Sequence, residues 1–266
     1  MNEEYIRQTK AIAERMKQIK HKIGIMSGKG GVGKSAVCAI LGAHLAKSGM
    51  QVGILDGDIT GPSMPKILGV KEHLMAGENG IIPAKSALGL KLVSMNLLLD
   101  DERRAVIWRG PLIGGAIRQL LADTDWGGLD YLLVDMPPGT ADAPLTLVQS
   151  VRLDGVLLVS TPQELVEIIV SKAMDMLQQT NTRMLGVVMN MASYRCPHCG
   201  NTVYPFGNVK DRNFGQESGI PLIGTIPIDE KIARLCDAGK IEEYTTPETQ
   251  ELVNAFLNAV EQGKQG

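Results

Sequence analysis

Gly28-Lys29-Gly30-Gly31-Val32-Gly33-Lys34-Ser35 fits the spacing G-x-x-x-x-G-K-[ST]. Glycines at these positions let the backbone curl so that consecutive N–H groups point inward, toward phosphate oxygens. The helix expected to begin at about Gly33 adds its positive end to the same concavity. In such a loop Lys34 reaches the β- and γ-phosphates and the Ser35 hydroxyl binds Mg²⁺. The chemistry implied is the binding and transfer of a nucleotide phosphoryl group.

Two carboxylate sites lie downstream. Asp56 and Asp58 follow an apolar run in Ile54-Leu55-Asp56-Gly57-Asp58-Ile59. A carboxylate near a γ-phosphate can orient the attacking water. An Asp after a strand is otherwise a turn or cap residue, and the upstream loop tilts the reading toward the site. Tyr131-Leu132-Leu133-Val134-Asp135 is a run of apolar residues ending in an acid. It reads as a Walker B strand, with Asp135 holding Mg²⁺ through water. Gly139, in the following Pro-Pro-Gly, can present a backbone N–H to the γ-phosphate. Asn190 ends another apolar run, and its amide offers the donor and acceptor that suit an adenine edge. Asp229, after Pro227-Ile228, either walls the base or caps a helix.

The second constellation is Tyr194-Arg195-Cys196-Pro197-His198-Cys199-Gly200. C-x-x-C brings two thiolates close enough to share one metal, yet a closed tetrahedral or cluster site needs about four ligands. Cys38 and Cys236 fall within expected helices and read as small buried residues. The missing ligands most simply come from a second copy across a two-fold axis. A mixed site using His198, a redox dithiol and a structural half zinc ribbon are the competing readings. Tyr194, Tyr204, Phe206 and Phe214 surround the pair and suggest a local mini-core or an interface.

These groups need rigid elements behind them. Tyr131–Val134, Gly155–Val159, Leu185–Met189 and Leu222–Ile226 are continuous apolar runs, as strands buried on both faces are, Ile23–Met26 is a shorter apolar run, and Gln51–Leu55 reads as a further strand. Helical patterns lie between them over Ser35–Lys47, Pro111–Ala122 and Gln163–Gln179. A leading helix is expected over residues 3–20 and a last one over Pro247–Gln262. Leu90–Met95 and Ala105–Trp108 look extended, and Gly57–Ala87 reads as loop with short helical pieces. The fold class is α/β: a mostly parallel sheet with helices on both faces. Residues 1–22 form a helical extension, residues 23–266 one domain, and the cysteine pair sits on an insertion at about 192–217.

Composition narrows the function classes. The chain has 266 residues, with 44% hydrophobic and 21% charged, which supports a packed core. Its 27 Lys and Arg against 29 Asp and Glu give a net charge of −2, which argues against a dedicated nucleic-acid binder. Four cysteines do not make a disulfide scaffold. Met1–Lys22 is charged throughout, unlike a secretory signal, and no run reaches the ~18 apolar residues of a membrane span. The last helix carries Glu248, Glu251 and Glu261 on its polar side, so it packs on its own protein instead of on lipid. A cytoplasmic protein with neither membrane nor nucleic-acid partners is expected.

The early lysine and the order of motifs add a resemblance. The loop resembles that of the deviant Walker A class, which includes MinD, ParA and the nitrogenase iron protein. There, the lysine at the Lys29 position crosses a dimer interface to the partner's nucleotide. By the same resemblance Asp58 is catalytic, Asp56 supports it or the metal, and Asn190 in Val188-Met189-Asn190-Met191 contacts adenine. From about Ile23 to Gly239 the chain resembles the Mrp (ApbC-type) family of iron–sulfur cluster carrier ATPases. The resemblance rests on the loop, Asp56–Ser63, Trp108-Arg109-Gly110-Pro111, Asp135–Thr140, Asn190-Met191 and Cys196–Cys199. It implies a slow ATPase acting as a homodimer that bridges a [4Fe–4S] cluster with two cysteines per subunit. Such a protein delivers the cluster to apo iron–sulfur proteins and works with cluster-assembly proteins; Zn²⁺ can occupy the thiols after aerobic handling. Ala36, Thr60 and Ala141 depart from the family pattern, and no second, N-terminal cluster is expected.

Overall fold

The computed structural model describes residues 3–59, 61, 63–98, 110–140, 142–162, 166–208 and 219–262. Ala105–Trp108, Thr60, Ala141 and Phe214 lie outside them. In chain order the elements are α1 (Glu3–Met16), β1 (Ile19–Met26), α2 (Lys34–Lys47), β2 (Val52–Asp56), α3 (Met64–Leu68), β3 (Met75–Gly77), β4 (Gly80–Ile82), β5 (Ala84–Lys85) and β6 (Lys91–Ser94). There follow α4 (Gly110–Asp123), β7 (Leu129–Asp135), α5 (Asp142–Val151), β8 (Gly155–Ser160), α6 (Val166–Gln179), β9 (Met184–Arg195), β10 (Thr202–Val203), β11 (Leu222–Ile228), α7 (Glu230–Ala238) and α8 (Pro247–Gln262).

Strands β11, β9, β8, β1, β7, β2 and β6 pair in that order, all parallel. Short β5 and β10 add antiparallel ends on β6 and β9. The apolar runs are continuous because both faces are covered. On β1, Ile23 and Ile25 belong to one core and Met26 to the other; on β7, Leu133 and Val134 divide in the same way. Alternate side chains therefore point to opposite layers while every one stays dry. Residues of α2, α3 and α8 cover one face, and residues of α1, α4, α5 and α6 the other.

The leading helix is shorter than its charge pattern suggests. It ends at Met16, and Ile19 already pairs with Leu129 in the first strand. Ile12 and Met16 are buried in the second core, and the Arg118 guanidinium of α4 stacks 4.1 Å from the Tyr5 ring centroid. The segment is thus packed on the sheet layer instead of appended to it. Strand β9 differs in the other direction: it runs past Asn190 to Arg195 and turns through the cysteines into β10. Gly69 and Gly239 end α3 and α7 in left-handed conformations and touch each other's backbones.

Candidate functional site

The carboxyl ends of β1, β2, β7 and β9 converge where the strand order reverses around β1, the place where open parallel sheets bind ligands. The phosphate loop leaves β1 there and opens α2. Gly33, the residue before α2, has φ 80°, a conformation that suits glycine. A cavity of about 260 Å³ is lined by Ser27, the loop from Gly30 to Ser35, Asp58, Ile67 and Pro138, among others.

Three groups meet beneath it. The Lys34 ammonium contacts Asp135 Oδ1, and the Ser35 hydroxyl donates to Asp135 Oδ2 at 2.6 Å. Asp135 is fully buried, which raises its pKa against the opposing pull of Lys34 and Ser35. The hydroxyl and carboxylate are hard oxygen donors held side by side, a donor set suited to Mg²⁺. Asp58 is half-buried on the cavity wall, and Lys29 is exposed on the outer limb of the loop.

The cysteines form the tip of a hairpin. Cys196 N–H donates to the Asn201 carbonyl at 2.9 Å, Gly200 N–H donates to the Cys196 carbonyl at 2.8 Å, and Gly200 has φ 73°. Backbone N–H groups of Cys199 and His198 point at the Cys196 sulfur and hold its thiol below the usual range. This is how a loop prepares a thiolate for a metal. Among the described residues no group of three His, Cys, Asp or Glu side chains is placed to hold a metal ion. Tyr194, Tyr204 and Phe206 are exposed in the single chain. Ile228, Tyr194 and Val203 are register partners across β11, β9 and β10, forming an exposed apolar row beside the thiols.

A family model described as NUBPL iron-transfer P-loop NTPase matches residues 18–262. The chain belongs to that family. An iron–sulfur cluster carrier protein from Clostridium perfringens is 46% identical over 85% of this chain and 82% of its own length. Another from Methanocaldococcus jannaschii is 43% identical over 96% of this chain and 90% of its own length. A nucleotide-binding protein from Archaeoglobus fulgidus, solved in complex with ADP, superposes with TM-score 0.82 at 44% identity, covering 91% of this chain and 95% of that one. The cell-division ATPase MinD of Pyrococcus furiosus, at 22% identity and TM-score 0.60, shares the fold.

Three of the expected site residues of this iron-transfer NTPase make hydrogen bonds that tie the site's segments together. Asp56, read as a support for Asp58 or the metal, bonds to the Asp58 backbone and anchors the loop. Its two oxygens accept from Asp58 N–H (3.3 Å), Met64 N–H (3.2 Å) and the Ser94 hydroxyl (3.1 Å), and it is buried. Burial and the neighbouring Asp135 carboxylate push its pKa up to about 7. Gly139 N–H donates to the Ser27 carbonyl at 2.8 Å. The Asn190 amide nitrogen donates to the Val32 carbonyl at 2.9 Å, which ties the end of β9 to the phosphate loop. For Asp229 the structure decides between the two readings: its carboxylate accepts from Lys231 N–H at 2.8 Å, capping α7, and from the Tyr244 hydroxyl at 3.0 Å. Cys38 is fully buried and Cys236 partly so, as read, and burial raises both thiols. The supporting roles of Ser27, Ser94 and Val32 were missed, because each acts through a contact that carries no local sequence signal.

Proposed function

We propose that this chain is an ATP-dependent iron–sulfur cluster carrier that works as a homodimer in the cytoplasm. The observation that carries the reading is the pairing of a phosphate loop with an exposed two-thiolate hairpin. Two thiolates make half of a four-ligand site, and two copies make a whole one. The exposed row Ile228–Tyr194–Val203 beside the thiols gives a second copy an apolar surface to cover. No described helix is long and apolar enough to cross a membrane.

In the nucleotide site, backbone N–H groups of the loop cradle the phosphates and Lys34 transfers its charge from Asp135 to the β- and γ-phosphates. Ser35 and Asp135 would hold Mg²⁺, which would supply neutralisation of charge on the phosphate oxygens. Asp58 orients the water that adds to the γ-phosphorus as the bridging bond to the β-phosphate breaks, releasing ADP and phosphate. Lys29 of each chain reaches the partner's nucleotide and offsets charge developing on the transferred group. Gly139 exchanges its bond to Ser27 for the γ-phosphate, so the segment after β7 reports which nucleotide is bound. The cluster is cargo, held between the Cys196 and Cys199 thiolates of two subunits and passed to apo-proteins. Hydrolysis is slow and tied to cluster loading or release.

Anaerobic reconstitution tests the reading. About four iron and four sulfide should be bound per dimer. Both should be lost in Cys196→Ala and in Cys199→Ala, and a cluster retained in either variant overturns the assignment. ATP turnover should fall in Asp58→Asn and Lys29→Ala while ADP binding persists.

A further inference from the structure

Strand β9 joins the two sites. Asn190, at the level of the phosphate loop, and Cys196, at the hairpin tip, are six positions apart on one strand and its turn. The loop end of this connection is tight. Asn190 donates to the Val32 carbonyl, and a Cβ placed on Gly33 would lie 2.2 Å from Asn190 Nδ2 and 3.9 Å from Met191 Cε. The Asn190 amide therefore packs against the residue before α2, and the Met191 methyl lies nearby.

Between the ends the strand is irregular. Pairing with β8 stops at Met189, opposite Ser160. Along β11, Ile226 pairs with Asn190 and Ile228 with Tyr194, so two steps on β11 span four on β9. The surplus residues lie in Met191–Ser193, and Met191 has φ 58°, a left-handed backbone that a long side chain rarely takes. Bulges bend a strand and re-aim the residues beyond it, and strained backbone concentrates where structure does mechanical work. Beyond this bulge β9 is regular again at Tyr194 and Arg195, which pair with β10 and carry the cysteines.

We propose that Met191 is a positioning residue that couples the nucleotide loop to the cysteine pair through the β9 bulge. When phosphates engage the N–H groups of Gly30–Lys34, the loop moves against Asn190 and Met191. The bulge converts that displacement into a changed attitude of the hairpin, and so of the two sulfurs. The inference rests on the carrier reading, because it supplies the step by which nucleotide state reaches the cargo.

The test is the reaction of Cys196 and Cys199 with an aromatic disulfide reagent, in the full chain carrying Cys236→Ala; Cys38 is fully buried. Rates are compared without nucleotide and with saturating Mg²⁺ and a non-hydrolysable ATP analogue, saturation being checked by calorimetry. In otherwise wild-type protein the two rates should differ by about fivefold or more, the low end of measured coupling between sites. Met191→Gly leaves the left-handed backbone open but removes the side chain near Gly33, and should bring the ratio close to one. Met191→Leu should keep the ratio. Met191→Asn, which also tolerates a left-handed backbone, replaces the glycine variant if that fails to fold.

An undiminished ratio in Met191→Gly, or no nucleotide effect in the wild type, overturns the proposal. So does a ratio that falls only in step with loss of dimer in light scattering, because association alone would then explain it. Failure of wild-type protein to bind a cluster would sink the carrier reading while leaving the thiol ratio to judge this linkage. Normal cluster loading with an unchanged ratio would sink the linkage alone.

Discussion

The Lys34 ammonium lies against the Asp135 carboxylate, joining the start of α2 to the end of β7 across 101 positions of sequence. Both groups are buried, so each neutralises a charge the other could not carry alone. Lys34→Ala should lower ADP affinity by about two orders of magnitude and strand a buried acid, which costs about 3–5 kcal/mol when an ion keeps its charge. Adding Asp135→Asn should recover most of that stability and none of the binding. Calorimetric titration and denaturant melts on the two variants separate these effects; equal stability of the single and double variants would refute the ion-pair account.

Asp56→Ala and Asp56→Asn should behave differently. Alanine removes the acceptor for Asp58 N–H, Met64 N–H and the Ser94 hydroxyl at once, leaving the segment between β2 and α3 without its anchor. ATP turnover should drop by tenfold or more, about what a displaced catalytic group costs, while ADP affinity changes little. Asparagine keeps one acceptor but turns its amide NH2 toward one of the two backbone donors, so its thermal midpoint should fall below that of the wild type and stay above that of the alanine variant. A turnover defect equal to that of Asp58→Asn in both variants would mean that Asp56 acts on the nucleotide directly.

The contact of Gly69 with Gly239 is between backbones. A Cβ on Gly239 would lie 2.5 Å from Gly69 Cα, and one on Gly69 would lie 2.5 Å from the Gly239 carbonyl oxygen. No side chain can rotate away to make room, and both residues have positive φ. Either alanine substitution should cost about 2–4 kcal/mol, summing left-handed strain and overpacking. Urea unfolding measures this directly, and a loss under ~0.5 kcal/mol would show that α3 and α7 separate freely.

His44 predicts an acid-side loss of stability. It is buried in α2, where hydrogen bonds to the Tyr244 backbone and the Gln250 side chain only partly offset the cost of charging it. Burial, reinforced by Lys47, holds its pKa below the ordinary value of 6.5. The folded state therefore refuses a proton that the unfolded chain accepts. The associated stability is present above about pH 6.5 and is lost as the pH falls below it, no more steeply than about 1.4 kcal/mol per unit. His44→Gln should flatten the denaturation midpoint between about pH 7 and 5.5 relative to the wild type. Parallel pH profiles for the two proteins would remove His44 as the cause.

The parts of this protein that sequence alone determines are those whose chemistry is local. The glycines and Lys34 of the phosphate loop, the acid ending β7 and the cysteine pair each announce themselves within a few residues. The continuous apolar runs likewise reveal a sheet covered on both faces, because a strand with no solvent face needs no polar alternation. Element ends were less legible: Ile19 extends β1, and β9 continues to Arg195, because partner strands across the sheet accept their hydrogen bonds. Only the tertiary structure decided what the polar groups around the loop hold. Asn190 reaches Val32 across 158 positions, Asp56 anchors the segment leading to α3, and Gly139 is bonded to Ser27. A hydrogen bond depends on where the fold brings its two ends, and residues far apart in the chain carry no mark of one another until the sheet has assembled.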